Sequence, residues 1–297
     1  MRKKFLLLLA LLFLLAGVIF VLPAVRDHVP DQTKESAAEE TEPSTTESEP
    51  PTETETESET GTETEEPTEE ETEGPGDPVD REKIETHLII ASDTHYMSPS
   101  LTDYGVAFDQ LVNSSDGKEI RYQPQLWQAF KSEVLAANPD ALILSGDLSL
   151  NGEKANHLEF SEKLREIEEA GVPVYVIPGN HDINKPDAGE YFGDQRTDVE
   201  SVTSEEFREI YADFGYNEAK SGAPDSLSYL VELNDTTWLM MLDTTVCEPE
   251  NEVYGEIKEG TLEWMEECLK EAYAEGITVI PVGHHNLQRL SRVYVEE

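Results

Sequence analysis

Four short apolar runs in this chain each end on side chains that bind metal ions. His87 to Ala91 leads into Asp93-Thr94-His95, and Ala141 to Ser145 leads into Gly146-Asp147. Val174 to Ile177 leads into Gly179-Asn180-His181-Asp182, and Ile277 to Val282 into Gly283-His284-His285. Short aliphatic runs bounded by Gly, Asp and Asn read as strands. In an open α/β sheet the carboxyl ends of the strands converge on one crevice, and ligands bind there. Carboxylates, an amide and imidazoles are therefore expected to meet in one place. That donor set suits first-row divalent metals.

The intervening sequence fits the same architecture. Tyr96 to Gln123 reads as a long polar connection. Pro124 to Asn138 reads as a helix with Leu126, Phe130, Val134 and Leu135 on one face. Glu153 to Ala170 is a second helix, with Leu158, Phe160, Leu164 and Ile167 apolar; Gly171 ends it and Pro173 prevents its return. Ser204 to Phe214 is a third, with Ser204 as N-cap. Leu227–Glu232 and Thr237–Leu242 form a hairpin across a four-residue turn, and Thr261 to Ala274 is a helix in which Trp264 and Tyr273 pack inward. The order βαβαβ and then ββαβ predicts a mixed sheet system with helices outside.

Composition separates this region from what precedes it. From Asp31 to Asp80 there is no aromatic residue, and Thr, Glu, Ser and Pro recur in near-repeats such as Thr52-Glu53-Thr54-Glu55. Such a segment buries too little apolar surface to offset its ordering entropy, so residues 26–80 are expected to be a disordered acidic spacer. Before it, Met1-Arg2-Lys3-Lys4 precedes an apolar run from Phe5 to Val25. A bilayer span needs ~20 apolar residues, so residues 1–25 read as a signal anchor, with the basic end inside and the rest of the chain outside. A cleaved signal peptide is the competing reading, which would make the protein secreted.

The folded part, residues 81–297, carries 16 basic and 43 acidic residues, a balance of −27. Such a surface repels nucleic acid, whose binding depends on Lys and Arg at phosphates. A small phosphorylated substrate stays compatible, because bound cations can reverse the local charge. The two cysteines, Cys247 and Cys268, lack zinc-site spacing, and the sequence leaves open whether they pair.

The order of the four motifs resembles the calcineurin-like metallophosphoesterases. That family reads D-x-H, then G-D-x-x-x-x-G, then G-N-H-D/E, then a lone His, then G-H-x-H. Here the first four stand as Asp93-Thr94-His95, Gly146 to Gly152, Gly179 to Asp182, and Gly283-His284-His285. G-H-x-H does not occur before Glu297, so the chain is expected to be truncated at its C-terminus. The resemblance implies a two-sheet αββα sandwich over residues 81–297.

It also implies the roles. Asp93 and His95 bind a first metal, Asp147 bridges, and Asn180 and His284 bind a second, with His285 as the alternative to His284. The cofactors are two divalent or trivalent transition-metal ions, of Mn, Fe or Zn. His181 contacts the phosphate and protonates the leaving alkoxide, a role its ordinary pKa near ~6.5 suits. Asp182 orients His181 or another ring. The activity implied is hydrolysis of phosphomonoesters or phosphodiesters by a metal-bound hydroxide at a dinuclear centre. An exported binding module that keeps the fold without turnover is the alternative. Gly146 and Gly179 are expected to allow close backbone approach or φ > 0 beside the ligands. His157, in a helix without a motif, is expected to be packed or solvated. Asp243 either faces the crevice or forms a turn.

Overall fold

The structure is a computed structural model that describes residues 79–115 and 117–286. The expected anchor and the expected spacer up to residue 78 lie outside the described residues, as does the C-terminal end from residue 287. Among the described residues no helix is long and apolar enough to cross a membrane.

Strands β1 (Leu88–Ala91), β2 (Ala141–Ser145) and β3 (Val174–Ile177) form a parallel sheet with β2 in the middle. Every residue of β2 is buried, as a parallel strand covered on both faces requires. The register pairs Ala91 with Leu144 and Ser145 with Ile177, so the three strands end level. Asp93, Asp147 and Asn180 thus follow one sheet edge within a few residues. Helices return the chain between these strands. In the connection before β2, α1 (Val106–Ser114) precedes α2 (Gln123–Ala137). α2 has Pro124 in its first turn and ends at Asn138 in the left-handed conformation. α3 (Lys154–Glu168) buries Phe160, Leu164 and Ile167 in the core that holds β2 and β3.

A second sheet has the order β6 (Ser221–Gly222), β7 (Tyr229–Asn234), β8 (Thr237–Leu242), β9 (Thr278–Gly283). β6, β7 and β8 are antiparallel; β9 runs parallel to β8 and needs a crossover. α5 (Glu259–Glu275) supplies it and stops at Gly276, whose φ of 68° suits a residue without a Cβ. All of β8 is buried, yet its two faces serve different cores. Leu239 and Met241 join the cluster of Leu142, Leu144 and Val176. Trp238, Met240 and Leu242 pack with Trp264, Cys268 and Ala272 of α5. The strand's period of two makes this possible. The Tyr229 hydroxyl donates to Val176 O at 2.8 Å and links the sheets.

Several expectations need correction. The connection from Tyr96 to Gln123 is not irregular throughout: it contains α1, which buries Ala107 and Phe108 against Met97, Leu101 and Tyr191. Phe108, Leu111 and Val112 stand at helical spacing on its inner face, but the helix is only nine residues long and lies within a polar connection. Between β3 and α4 (Ser204–Ile210) stands an unforeseen hairpin, β4 (Gly189–Phe192) and β5 (Gln195–Asp198). All of β5 is exposed and polar, which removes the alternation that marks a strand. Thr203 rather than Ser204 caps α4. Its hydroxyl accepts from Glu206 N while the Glu206 carboxylate accepts from Thr203 N, forming a capping box. α4 ends at Ile210, before Phe214 and Gly215 leave helical geometry. The β7–β8 turn is two residues shorter than expected, because Asn234 pairs with Thr237 across a bulge. Leu158 and Tyr273 are exposed, on the faces opposite Phe160 and Trp264. Both cysteines are free and buried.

Candidate metal centre

The loops after β1 and β2 are laced together by backbone. Asp93 N donates to Gly146 O at 3.0 Å, His95 N to Asp147 O at 2.9 Å and Tyr96 N to Leu148 O at 2.8 Å. Asp93, His95 and Asp147 all adopt positive φ, at 58°, 42° and 51°. That conformation costs an L-residue roughly 1–2 kcal/mol. Three such residues in one site are strain that the surrounding contacts must hold. The result is that three side chains face one another: one ligand atom from each of Asp93, His95 and Asp147 lies within 4.8 Å of the others.

The glycines allow this approach, as expected. Gly146 has φ 95°, and a Cβ there would meet the His284 ring at 2.7 Å and Gly179 Cα at 2.8 Å. A Cβ on Gly179 would overlap the amide and carboxylate of Asp147. The β2 and β3 loops therefore touch only because neither glycine has a side chain.

Asp147 divides its two oxygens between two groups. Oδ2 lies 3.6 Å from His95 Nε2, which is 3.7 Å from Asp93 Oδ1. Oδ1 lies 3.4 Å from His284 Nε2, which is 3.2 Å from Asn180 Oδ1. Ligands on a tetrahedral ion with bonds of ~2.1 Å sit about 3.4 Å apart. His284 Nδ1 is 2.9 Å from Ser145 O, so it carries the proton and donates. In the neutral ring the Nε2 lone pair then faces the Asp147 carboxylate oxygen with no hydrogen between them. Convergent lone pairs of this kind are relieved by a cation, so the donor set fits a metal. Asp93, His95, Asp147, Asn180 and His284 are the residues that would hold it. Of the two adjacent histidines, His284 is the one at this point. His285 turns away, with Nδ1 2.7 Å from the Thr244 hydroxyl and Nε2 3.2 Å from Val253 O.

The electrostatics follow from burial. Burial raises the Asp147 carboxyl, and the charge of Asp182 adds to it, so it stands at about 6 despite His284 and His95. For Asp93 burial also raises the pKa, but hydrogen bonds with His95 and Ser92 outweigh it and hold the carboxyl at about 2. Burial pushes His181 down to about 4, and the charges of Lys118, His95 and Lys185 act in the same direction. The ordinary pKa on which its acid role was expected to rest is therefore not the one the fold provides.

Two sequence-derived assignments take a different form in space. The Asp182 carboxylate makes no hydrogen bond to the His181 ring; the other ring allowed for it is that of His157, whose Nε2 lies 2.9 Å from Asp182 O and 3.9 Å from Oδ1. The Asp182 carboxylate oxygens accept from Leu148 N at 3.1 Å, Ser149 N at 2.8 Å and Gly179 N at 2.8 Å, and so tie the β2 loop to the β3 loop. The His181 ring is held by Leu150 O at 3.0 Å and Asn151 Oδ1 at 2.9 Å, both from Nδ1. Asn151 was not singled out from the sequence, because it occupies a variable position of the G-D-x-x-x-x-G pattern. His157 is packed: its ring nitrogens lie 2.9 Å from the Tyr211 hydroxyl and 2.9 Å from Asp182 O. Asp243 organises a turn, accepting from Thr245 N at 2.9 Å and Leu227 N at 3.0 Å.

Comparison with curated proteins gives no match. Comparison with family models gives the calcineurin-like phosphoesterases over residues 86–297, a span that contains all four motifs and every described element. The chain belongs to the calcineurin-like phosphoesterase family.

Proposed function

We propose that residues 81–297 form an αββα sandwich that hydrolyses phosphomonoesters or phosphodiesters of small molecules at a two-metal centre. The observation that carries this reading is the division of Asp147. One oxygen faces His95 and Asp93, and the other faces His284 and Asn180. One carboxylate with a separate donor group on each oxygen is what a bridging ligand requires. When bound there, divalent ions would supply a nucleophile from water near neutral pH and would offset charge on the phosphoryl oxygens.

The chain's own residues do the rest. Asn180 donates an uncharged oxygen and so adds no repulsion beside two carboxylates. Ser145 O fixes the tautomer of His284 and points Nε2 inward. His181 stands edge-on to His95 with ring centroids 4.9 Å apart, and contacts the substrate phosphate through its free nitrogen. An anionic phosphate beside the ring raises its pKa again, so the proton for the leaving oxygen is held best when substrate is bound. The acidic balance of the domain supports a small substrate over a nucleic-acid polymer. We place the domain outside the cell, on the N-terminal segment and the acidic spacer, from the Lys and Arg ahead of the apolar run.

Elemental analysis of metal-loaded protein, paired with assays on an aryl phosphate and a bis-aryl phosphate, tests the reading. Two metals per chain and turnover of either ester are expected. Stoichiometric metal without turnover would favour the binding module instead.

A further inference from the structure

We infer that Asn151, backed by the buried Glu153, is the positioning residue for His181. The inference rests on the hydrolase reading for its purpose, though its geometry does not. His181 Nδ1 lies 2.9 Å from Asn151 Oδ1 and 3.0 Å from Leu150 O. An amide side chain can be assigned either way round, but a backbone carbonyl accepts only. Leu150 O therefore requires the proton on Nδ1, and Asn151 is consistent only with its oxygen toward the ring. Nε2 becomes the free nitrogen, and two acceptors on one N–H fix the plane of the ring.

Asn151 is itself held. Its backbone N–H donates to Glu153 Oε2 at 2.8 Å. Glu153 is fully buried. The same oxygen accepts from Asn156 Nδ2 at 2.6 Å, and Oε1 accepts from Gly189 N at 3.4 Å. Asn156 in turn accepts from Ser98 N at 2.7 Å. Burial pushes the Glu153 carboxyl up, and these donors oppose that shift. A desolvated carboxylate that gathers donors from the loop after β2, from α3 and from β4 is costly unless it fixes something. What it fixes is the turn that carries Asn151. Asp182 cannot take this part, because its oxygens are occupied by the Leu148, Ser149 and Gly179 amides.

The test is a double-mutant cycle with a spectroscopic companion. Asn151→Ala should lower kcat roughly 10–100-fold, the usual range for a residue that orients a site group, with KM and metal content little changed. Asn151→Asp keeps an acceptor and should recover most of the rate. In a His181→Ala background, Asn151→Ala should cost nothing further. An undiminished loss there, or no recovery with Asp, would overturn the inference. Nitrogen-15 shifts of the His181 ring answer the same question without turnover. The wild type should show Nδ1 protonated and Nε2 bare in the metal-free protein, and Asn151→Ala should move the ring toward a tautomer mixture. A wild-type ring protonated at Nε2 instead would overturn it even in a protein with no hydrolase activity. If the shifts agree and no ester is hydrolysed, the pairing stands and the hydrolase reading fails.

Discussion

The two sheets handle their strand ends differently. At the carboxyl edge of β1–β2–β3, three candidate ligand residues are strained at positive φ and two loops meet only where glycines remove the Cβ. At the end of β8, Asp243 is as buried as Asp147, yet backbone amides and Thr245 satisfy it. Behind β8, Trp238 and Trp264 fill an apolar layer with α5. Asp147 accepts one backbone bond, from His181 N to Oδ1 at 2.8 Å, its Oδ2 has no hydrogen-bond donor among the described residues, and its carboxyl is pushed up to about 6, while donors reach both oxygens of Asp243. One strand end holds strained backbone and a carboxylate oxygen without a donor; the other holds an aspartate whose oxygens are satisfied. Buried aspartates at strand ends are therefore not equivalent evidence for a site. The decisive question is whether hydrogen-bond donors have claimed both oxygens or left one open.

This contrast can be broken at either end. The largest stability effect should come from the second sheet. Trp238→Ala should cost about 3–5 kcal/mol in a urea titration, while metal affinity of the folded fraction stays near wild type. A parallel collapse of metal affinity would show that the two regions are coupled.

Asp147→Asn should give the reverse pattern. Turnover should fall by about 10³-fold and both metals should bind more weakly. The metal-free variant should be no less stable than wild type, because the substitution removes a buried charge that burial and Asp182 disfavour. A stability loss as large as that of Trp238→Ala would mean the carboxylate is a structural group.

Gly179→Ala is a smaller perturbation of the same contact. The added Cβ overlaps Asp147, and overpacking of this kind costs about 1–3 kcal/mol. Metal affinity by calorimetry should drop with it. Unchanged affinity would show that the β2 and β3 loops tolerate separation.

The smallest effect is in pH. In the metal-free protein His181 sits at about 4 and burial pushes His157 down, while unfolded histidine titrates near ~6.5. Both contribute stability that is full above ~6.5 and is lost as pH falls toward the folded values. Asp147 has the opposite sign: raised to about 6, it stabilises below ~4 and that contribution is lost as pH rises through 6. His181 accounts for roughly 1 kcal/mol of loss between pH 6.5 and 5.5. His181→Gln should flatten the slope in that window, measured from denaturation midpoints. An unchanged slope would place the ring's titration at its ordinary value.

Much of the fold was legible because local signals and tertiary packing agree there. β2 and β3 fall where Ala141 to Ser145 and Val174 to Ile177 place them, since a fully buried parallel strand must be continuously apolar. β5 was invisible because Gln195 to Asp198 bury nothing. α1 was missed although Phe108, Leu111 and Val112 stand at helical spacing, because it is only nine residues long and lies within a polar connection. Thr203 had a readable signal, the spacing to Glu206, which Ser204 obscured by standing next to it.

By itself the sequence determined the family, the parallel strands and the set of donors that follow them. Those depend on residue type and order along the chain, and the ligands must stand at strand ends whatever surrounds them. Only the tertiary structure separated His284 from His285 and replaced Asp182 with Asn151 as the partner of the His181 ring. Adjacent residues differ in role according to which way the backbone turns each side chain. A carboxylate's partner is set by whichever donors are brought within about 3 Å of it, and spacing along the chain does not encode that distance.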